Sequence, residues 1–293
     1  MPTKKTPLKL YKYRPFDVNS LRLLTGLEVF YANPRNFNDP LDCNPTVQIN
    51  TDCDSLERLC YQMLKDAYGK ENALKKIKNF QYMSTEYGDY KKDPKVKKYY
   101  MKHLICPEIK RLLDTEMASR GVLSMAKDWQ NMVMWSHYAD QHRGFCIEYD
   151  LTDHDCSHIE AVNYQIPTNI KTTELMQWKL HKSAEAEQNI IRIYFFAKSP
   201  DWSYEGEWRV IHPSHGASPA PFRISGIYFG LRCDYAVKTL IVKLFANSTS
   251  DIAFYDMRMS EDNRLLESQL VDTAEIESTG VQTILPLDFK WFT

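Results

Sequence analysis

Short runs of period-two residues recur along this chain without settling into a regular β-α-β rhythm. Leu8–Arg14 (L-K-L-Y-K-Y-R) alternates apolar and basic residues, the spacing of a half-buried strand. Glu28–Ala32, Gly121–Ser124, Phe145–Asp150, Ile224–Phe229 and Leu240–Phe245 also read as strands. Helical spacing separates them: Leu21, Leu24 and Leu27 behind a capping Asp17 or Asn19, a helix over 128–142 stopped by Gly144, and most of 171–198. Strands and helices mixed in this way predict an α+β fold, not a doubly wound sheet. Residues 54–118, with Leu56, Leu59, Cys60, Met63 and Leu64 at helical spacing, form a helical insertion on one single domain. Its lysine-rich stretch 90–102 reads as a solvated helix face. The segment 231–293 is expected at the periphery.

Composition narrows the class. At 293 residues, 43% hydrophobic and 26% charged, the chain holds enough apolar material for one sizeable core. Met1–Leu10 has lysines and prolines but no apolar stretch, unlike a secretory signal. No segment approaches the roughly 20 apolar residues of a membrane-spanning helix. Seven scattered cysteines, never in a C-x-x-C pair, are expected as reduced thiols, which points to the cytoplasm. A formal net charge of −1 supplies no global field for steering polyanions. Nucleotide-loop, serine-hydrolase and zinc-protease signatures (G-x-G-x-x-G, Walker, G-x-S-x-G, H-E-x-x-H) are absent from the sequence.

Four clusters could carry chemistry. In Phe37–Asp42 (F-N-D-P-L-D) the Asn and Asp before Pro suit a rigid corner, or the two carboxylates three residues apart, Asp39 and Asp42, could meet a ribose hydroxyl or a cation. Met134–Asp140 (M-W-S-H-Y-A-D) puts Trp135, His137 and Tyr138 on one helix, either as satisfied core residues or as a platform for a nicotinamide or adenine ring. In Tyr204–Arg209 (Y-E-G-E-W-R) a strand would place Glu205 and Glu207 on one face, about 7 Å apart. Their repulsion raises one pKa, and the pair is either catalytic or neutralised by Arg209. Finally, His154, Cys156 and His158 could share one side of a strand as zinc ligands, although they fall where a loop is expected.

Taken in order, L-Y-K-Y-R at 10–14, F-N-D-P-L-D at 37–42, M-W-S-H-Y-A with G-F-C-I-E-Y-D at 134–150, and K-S with W-S-Y-E-G-E-W-R at 198–209 resemble a large bacterial family known only as a domain of unknown function. These motifs in turn resemble the ADP-ribosyltransferase superfamily, which carries an early Arg or His, a middle Ser or Tyr and a late Glu, often within E-x-E. Arg14, Ser124 and Glu207 stand in that order here, though Met125 and Ala126 replace the rest of the S-T-S pattern. The resemblance implies a split pair of small antiparallel sheets, with E-G-E-W-R-V-I and F-R-I-S-G-I forming the last hairpin. It implies NAD as substrate and transfer of ADP-ribose to an unidentified protein or nucleic acid, or hydrolysis, in a defence effector (antiviral, for example) or toxin.

On that resemblance Glu207 stabilises the ribosyl cation and Glu205 serves the acceptor. Arg14 pairs with the diphosphate or adenosine ribose, and Ser124 holds the nicotinamide ribose. Tyr138 or Trp135 stacks on a ring, with His137, Asn38 and Asp39 completing the nucleotide site, and no metal is required. Two other classes compete: a metal-dependent hydrolase or nuclease built on Asp39, Asp42, Glu205 and Glu207, and a non-catalytic module that binds a nucleotide or protein. The thiols give the first test. Titration of freshly purified protein in denaturant recovers all seven, and recovery of five or fewer contradicts the reducing-compartment assignment.

Overall fold

A computed structural model of the chain describes residues 6–85, 89, 92–246, 251–262 and 265–278. Its strands are β1 (Lys9–Arg14), β2 (Glu28–Tyr31), β3 (Thr46–Gln48), β4 (Gly121–Ala126), β5 (Phe145–Asp150), β6 (Ile159–Ala161), β7 (Asn169–Lys171), β8 (Glu207–His212), β9 (Gly216–Pro219), β10 (Arg223–Phe229), β11 (Ala253–Met259) and β12 (Leu266–Leu270). Its α-helices are α1 (Val18–Gly26), α2 (Cys53–Tyr68), α3 (Lys70–Thr85), α4 (Pro94–Tyr99), α5 (Cys106–Met117), α6 (Met132–Tyr138), α7 (Thr172–Lys179), α8 (Ala184–Phe196), α9 (Tyr235–Phe245) and α10 (Thr273–Ser278). The fold is α+β. Among the described residues no helix is long and apolar enough to cross a membrane.

One mixed sheet dominates, in the order β12-β11-β10-β5-β1-β4-β8-β6, and the pairs β2-β9 and β3-β7 stand apart. The expected pair of small antiparallel sheets is therefore replaced by one continuous sheet. That sheet nonetheless opens at its centre: β1 meets β5 through six register pairs but meets β4 only at Tyr11↔Ala126. The expected β8–β10 hairpin does not form, because β8 lies between β4 and β6 whereas β10 lies between β5 and β11.

Side-chain alternation sorts the two faces. Leu10, Leu123, Met125, Ile147, Trp208, Val210 and Ile227 point to a core covered by α1 and α9. Val122 and Ile211 point the other way, into a second core with α2, α5, α7 and α8. Helices α2, α3 and α5, which cover most of the stretch 54–118, pack in that core with α7 and α8. Glu148 of β5 is buried between strands. It accepts from Lys9 (2.7 Å), Tyr11 (3.1 Å), Ser225 (2.8 Å) and Tyr228 (2.9 Å), so one carboxylate fastens β1, β5 and β10.

Two expected elements change. Leu240–Phe245 is helical, the last part of α9, with Asp234 capping the N-terminus and Ile241, Val242 and Phe245 buried. A short apolar run fits a strand or a buried helix equally well, and the Asp cap decides for the helix. The segment after 231 is not peripheral, since α9, β11 and β12 complete the sheet and its core; residues 279–293 lie outside the described part. The expected helix over 128–142 is only Met132–Tyr138, capped by Asn131. Asp140, Gln141 and His142 follow in left-handed conformations.

Gly144 therefore does not end that helix directly. Its backbone passes so close to β1 that a Cβ there would sit 2.1 Å from the Arg14 carbonyl oxygen. Backbone on both sides leaves no side chain to swing away. Gly144→Ala should lower stability by about 2 kcal/mol or more, read from the denaturant midpoint. Wild-type stability in that variant would contradict the tight β1–β5 corner.

Candidate functional site

A cavity of about 420 Å³ lies where the sheet opens between β1 and β4. Tyr11, Lys12 and Tyr13 of β1 and Ser124 and Ala126 of β4 form its floor. Phe37, Asn38 and Asp42 come from the loop before β3, and His137 and Tyr138 from α6. Lys198, Glu205, Glu207 and Arg209 close the remaining side.

Local sequence explains how these side chains arrive. Asn33 caps the turn Pro34–Asn36, and Asp39 accepts from the Leu41 amide (2.9 Å), so the loop curls. Cys43 then adopts φ 51°, and Asp42 is driven inward. Lys198 follows α8, where Ala197 bridges to Asn163 and the helix cannot continue. Ser199 caps a 3-10 helix over Pro200–Glu205, which Gly206 ends in the left-handed region at φ 52°. Glu205 therefore ends a helix and Glu207 starts a strand. The expected side-by-side placement on one strand is wrong, yet both carboxylates still reach Lys198, whose Nζ lies 2.5 Å from Glu205 and 3.0 Å from Glu207.

Arg209 organises the buried part. It is fully buried and donates to both Glu207 oxygens (2.7 and 2.9 Å), both Asp42 oxygens (2.9 and 2.6 Å) and the Phe195 carbonyl (2.7 Å). Lys198 Nζ also lies 3.3 Å from Asp42. Burial alone would raise the pKa of Glu207, but Arg209 and Lys198 outweigh it and hold the carboxyl well below the usual range. Glu205 goes the other way: burial raises its pKa, Lys198 pulls it down and the Glu207 charge adds to the rise, leaving it above the ordinary value. Tyr138 donates to Glu205 (2.7 Å) and is itself approached by the Asn38 amide (3.4 Å). Lys12 donates to the Ser124 main-chain carbonyl (2.5 Å) in the gap between β1 and β4. Desolvation there, reinforced by the Arg14 charge, brings its pKa down to about 8.

Of the expected site residues, Asn38, Ser124, His137, Tyr138, Glu205 and Glu207 line one cavity. Arg14 does not. It shares a face with Leu10 and lines a small recess with Glu28 and Val29, on the side of the α1–α9 core. Trp135 is fully buried, edge-on to Tyr13 at 5.2 Å, with its indole N–H on the Trp129 carbonyl (2.6 Å), so it offers no free ring face. Asp39 spends an oxygen on its own turn and does not line the cavity. Lys12 and Lys198 carry charge into the site without having been singled out. The signal for Lys198 was its place within a motif, K-S before W-S-Y-E-G-E; Lys12 had none beyond strand alternation.

Metal ligation finds little room. The Asp42 and Glu207 oxygens are taken up by Lys198 and Arg209, and those of Glu205 by Lys198 and Tyr138. Among the described residues no group of three His, Cys, Asp or Glu is arranged to hold an ion. His154 and His158 instead flank the Phe222 ring, and Cys156 donates to the Leu151 and His154 carbonyls.

Residues 134–210 match the model of a family described as a protein of unknown function, DUF2971. The match runs from α6 into β8, about a quarter of the chain, and includes Tyr138, Lys198, Glu205, Glu207 and Arg209. No curated protein and no solved structure matches the chain.

The charge ring sets a stability prediction. Arg209→Met strands Asp42 and Glu207 in a buried site and should cost about 3–5 kcal/mol, measured by denaturant unfolding. A loss under about 1 kcal/mol would mean the ring is hydrated. The pH dependence has two signs. Ionised Glu207 stabilises the fold above its unfolded pKa near 4.3, and that contribution is lost as pH falls through the depressed folded value. Glu205, with its raised pKa, disfavours the fold as pH climbs past its unfolded value. Glu207→Gln should therefore flatten the acid limb of a stability–pH curve, and Glu205→Gln should gain on wild type as pH rises.

Proposed function

We propose that this cavity cleaves the bond between nicotinamide and ribose in NAD and passes the ADP-ribosyl group to water or to a macromolecular acceptor. The observation that carries the reading is the pair Glu205 and Glu207 in one cavity, their pKa values driven apart by different surroundings. Paired titratable groups separated in this way supply one permanent anion and one proton acceptor. The cavity volume falls within the range of small-molecule sites.

Departure of nicotinamide takes the bonding electron pair with the ring nitrogen and leaves positive charge on the ribose, as in glycoside cleavage. With all three carboxylates ionised, Asp42, Glu205 and Glu207 exceed Lys198 and Arg209 by one negative charge, which the Lys12 amine in the same cavity balances. Glu207, the member held most firmly ionised, stabilises the cationic ribose. A water or acceptor hydroxyl then bonds to the anomeric carbon and gives its proton to Glu205, whose raised pKa makes it the stronger base. Tyr138 orients Glu205, Arg209 holds Glu207, and Ser124 on the cavity floor meets the nicotinamide ribose. Arg14 has no part in this scheme. Its assignment passes to Lys12, whose amine rests on a carbonyl rather than a carboxylate and so keeps its charge for the diphosphate. The pyridine ring packs against Tyr138 and His137 instead of Trp135.

Purified protein incubated with NAD, with and without cell extract, should release nicotinamide. Glu207→Gln should abolish transfer and hydrolysis together, a loss of roughly 2.7–4 kcal/mol in activation free energy, because both share the ribosyl cation. Glu205→Gln should lose transfer and keep slow hydrolysis. Melting curves recorded alongside separate a chemical loss from unfolding. A folded Glu207→Gln protein with wild-type turnover would end the reading.

A further inference from the structure

We propose that the open groove between α3, the end of α2 and α5 docks the phosphate backbone of a single-stranded nucleic acid. This surface is separate from the cavity, and the proposal does not depend on the reaction there. Part of the surface is visible in the sequence: Lys75, Lys76 and Lys78 belong to a stretch, residues 70–102, with ten Lys and Arg against four Asp and Glu, in a chain of formal net charge −1.

Helix α3 sorts those charges by face. Ala73, Ile77 and Ser84 are buried, with Phe80 packed beside them. Asn72, Lys75, Lys76 and Asn79 follow at i, i+3, i+4 and i+7 along the groove. Lys78 joins them, and Tyr68 and Arg111 close the opposite side around a space of about 850 Å³ with no carboxylate in its lining. Behind the groove Glu108 is buried and accepts from Lys76 (2.7 Å) and from Arg111 (2.6 and 3.0 Å). One carboxylate thus serves two cations and leaves a positive charge over. Lys75 and Lys78 are exposed, with no carboxylate partner among the described residues, and bring the excess to three.

Scattered exposed lysines are ordinary. Uncompensated charge gathered in a concavity beside a fixed aromatic ring is not. Tyr68 is 44% exposed. Arg111 lies 5.7 Å from its ring and donates to its hydroxyl (3.1 Å), so the ring is held in place before any ligand arrives. Phosphates that neutralise the cations release counterions, and an unpaired base can stack on the ring. A duplex would keep its bases stacked within itself, and an acidic polypeptide offers charge without the flat base.

The test uses the full chain and a labelled twelve-nucleotide oligodeoxythymidine, followed by fluorescence anisotropy. Three neutralised phosphates predict that affinity falls on the order of 20-fold between 50 and 200 mM salt. Lys75→Gln with Lys78→Gln should weaken binding about tenfold or more at 50 mM and flatten the salt slope. Tyr68→Ala should weaken it with the slope unchanged. Lys95→Gln with Lys98→Gln removes the same charge from the exposed face of α4 and should leave binding unchanged. Absence of binding at 50 mM salt would overturn the proposal, as would equal losses in the two double variants. Displacement of the oligonucleotide by polyglutamate as effective as by unlabelled oligonucleotide would also overturn it, making the groove a surface for acidic polypeptides.

Discussion

Arg209 is the residue on which the site's construction depends. A guanidinium removed from water is costly unless its donors are met, and here they are met from three directions: Asp42 on the loop before β3, Glu207 on its own strand, and the Phe195 carbonyl at the end of α8. None of these groups could be buried alone. Together they fix where the loop turns, where α8 stops and which way β8 faces. Lys198 then closes the ring and brings in Glu205, the carboxylate with the least complete compensation. The distribution of charge in the cavity follows from one desolvated cation and the partners it requires.

Local patterns in the sequence carried much of this, up to the point where distance along the chain took over. Period-two alternation marked β1 and β5, and short apolar runs marked β4, β8 and β10, because each packs against an apolar core. The carboxylate pair was legible, but its geometry was not: Gly206 lies between the two glutamates, and a glycine can end a helix in the left-handed region as readily as it can sit in a strand. Arg14 illustrates a different limit. Alternation places Leu10, Lys12 and Arg14 on one face, and only the tertiary packing, with Leu10 in one apolar core and Tyr11 and Tyr13 in another, tells which face meets which core. Lys12 escapes that face because the strand beside it has separated, something no local pattern encodes. The Arg209–Asp42 pairing spans 167 residues, so loop chemistry could mark Asp42 as ordered but not name its partner.

Two buried carboxylates divide the structural task. Glu148, on β5, fastens the strands on either side by accepting from two residues of β1 and two of β10. Glu207, through Arg209, fastens β8 to the loop and α8, and β8 is in turn laddered to β4 along six pairs. Each half of the sheet therefore has its own polar anchor, and neither anchor crosses the divide. The halves meet at Tyr11↔Ala126 and at the bond from the Lys12 amine to the Ser124 carbonyl. A sheet joined so sparingly at its centre would gain ladder hydrogen bonds by zipping shut, at the expense of the cavity. The helices oppose this, because α6 stands over the opening with Trp135 wedged against Tyr13 and Tyr138 tied to Glu205. The cavity is thus held open by packing above it and by charge beside it, with Lys12 capping one of the carbonyls that the missing ladder leaves exposed.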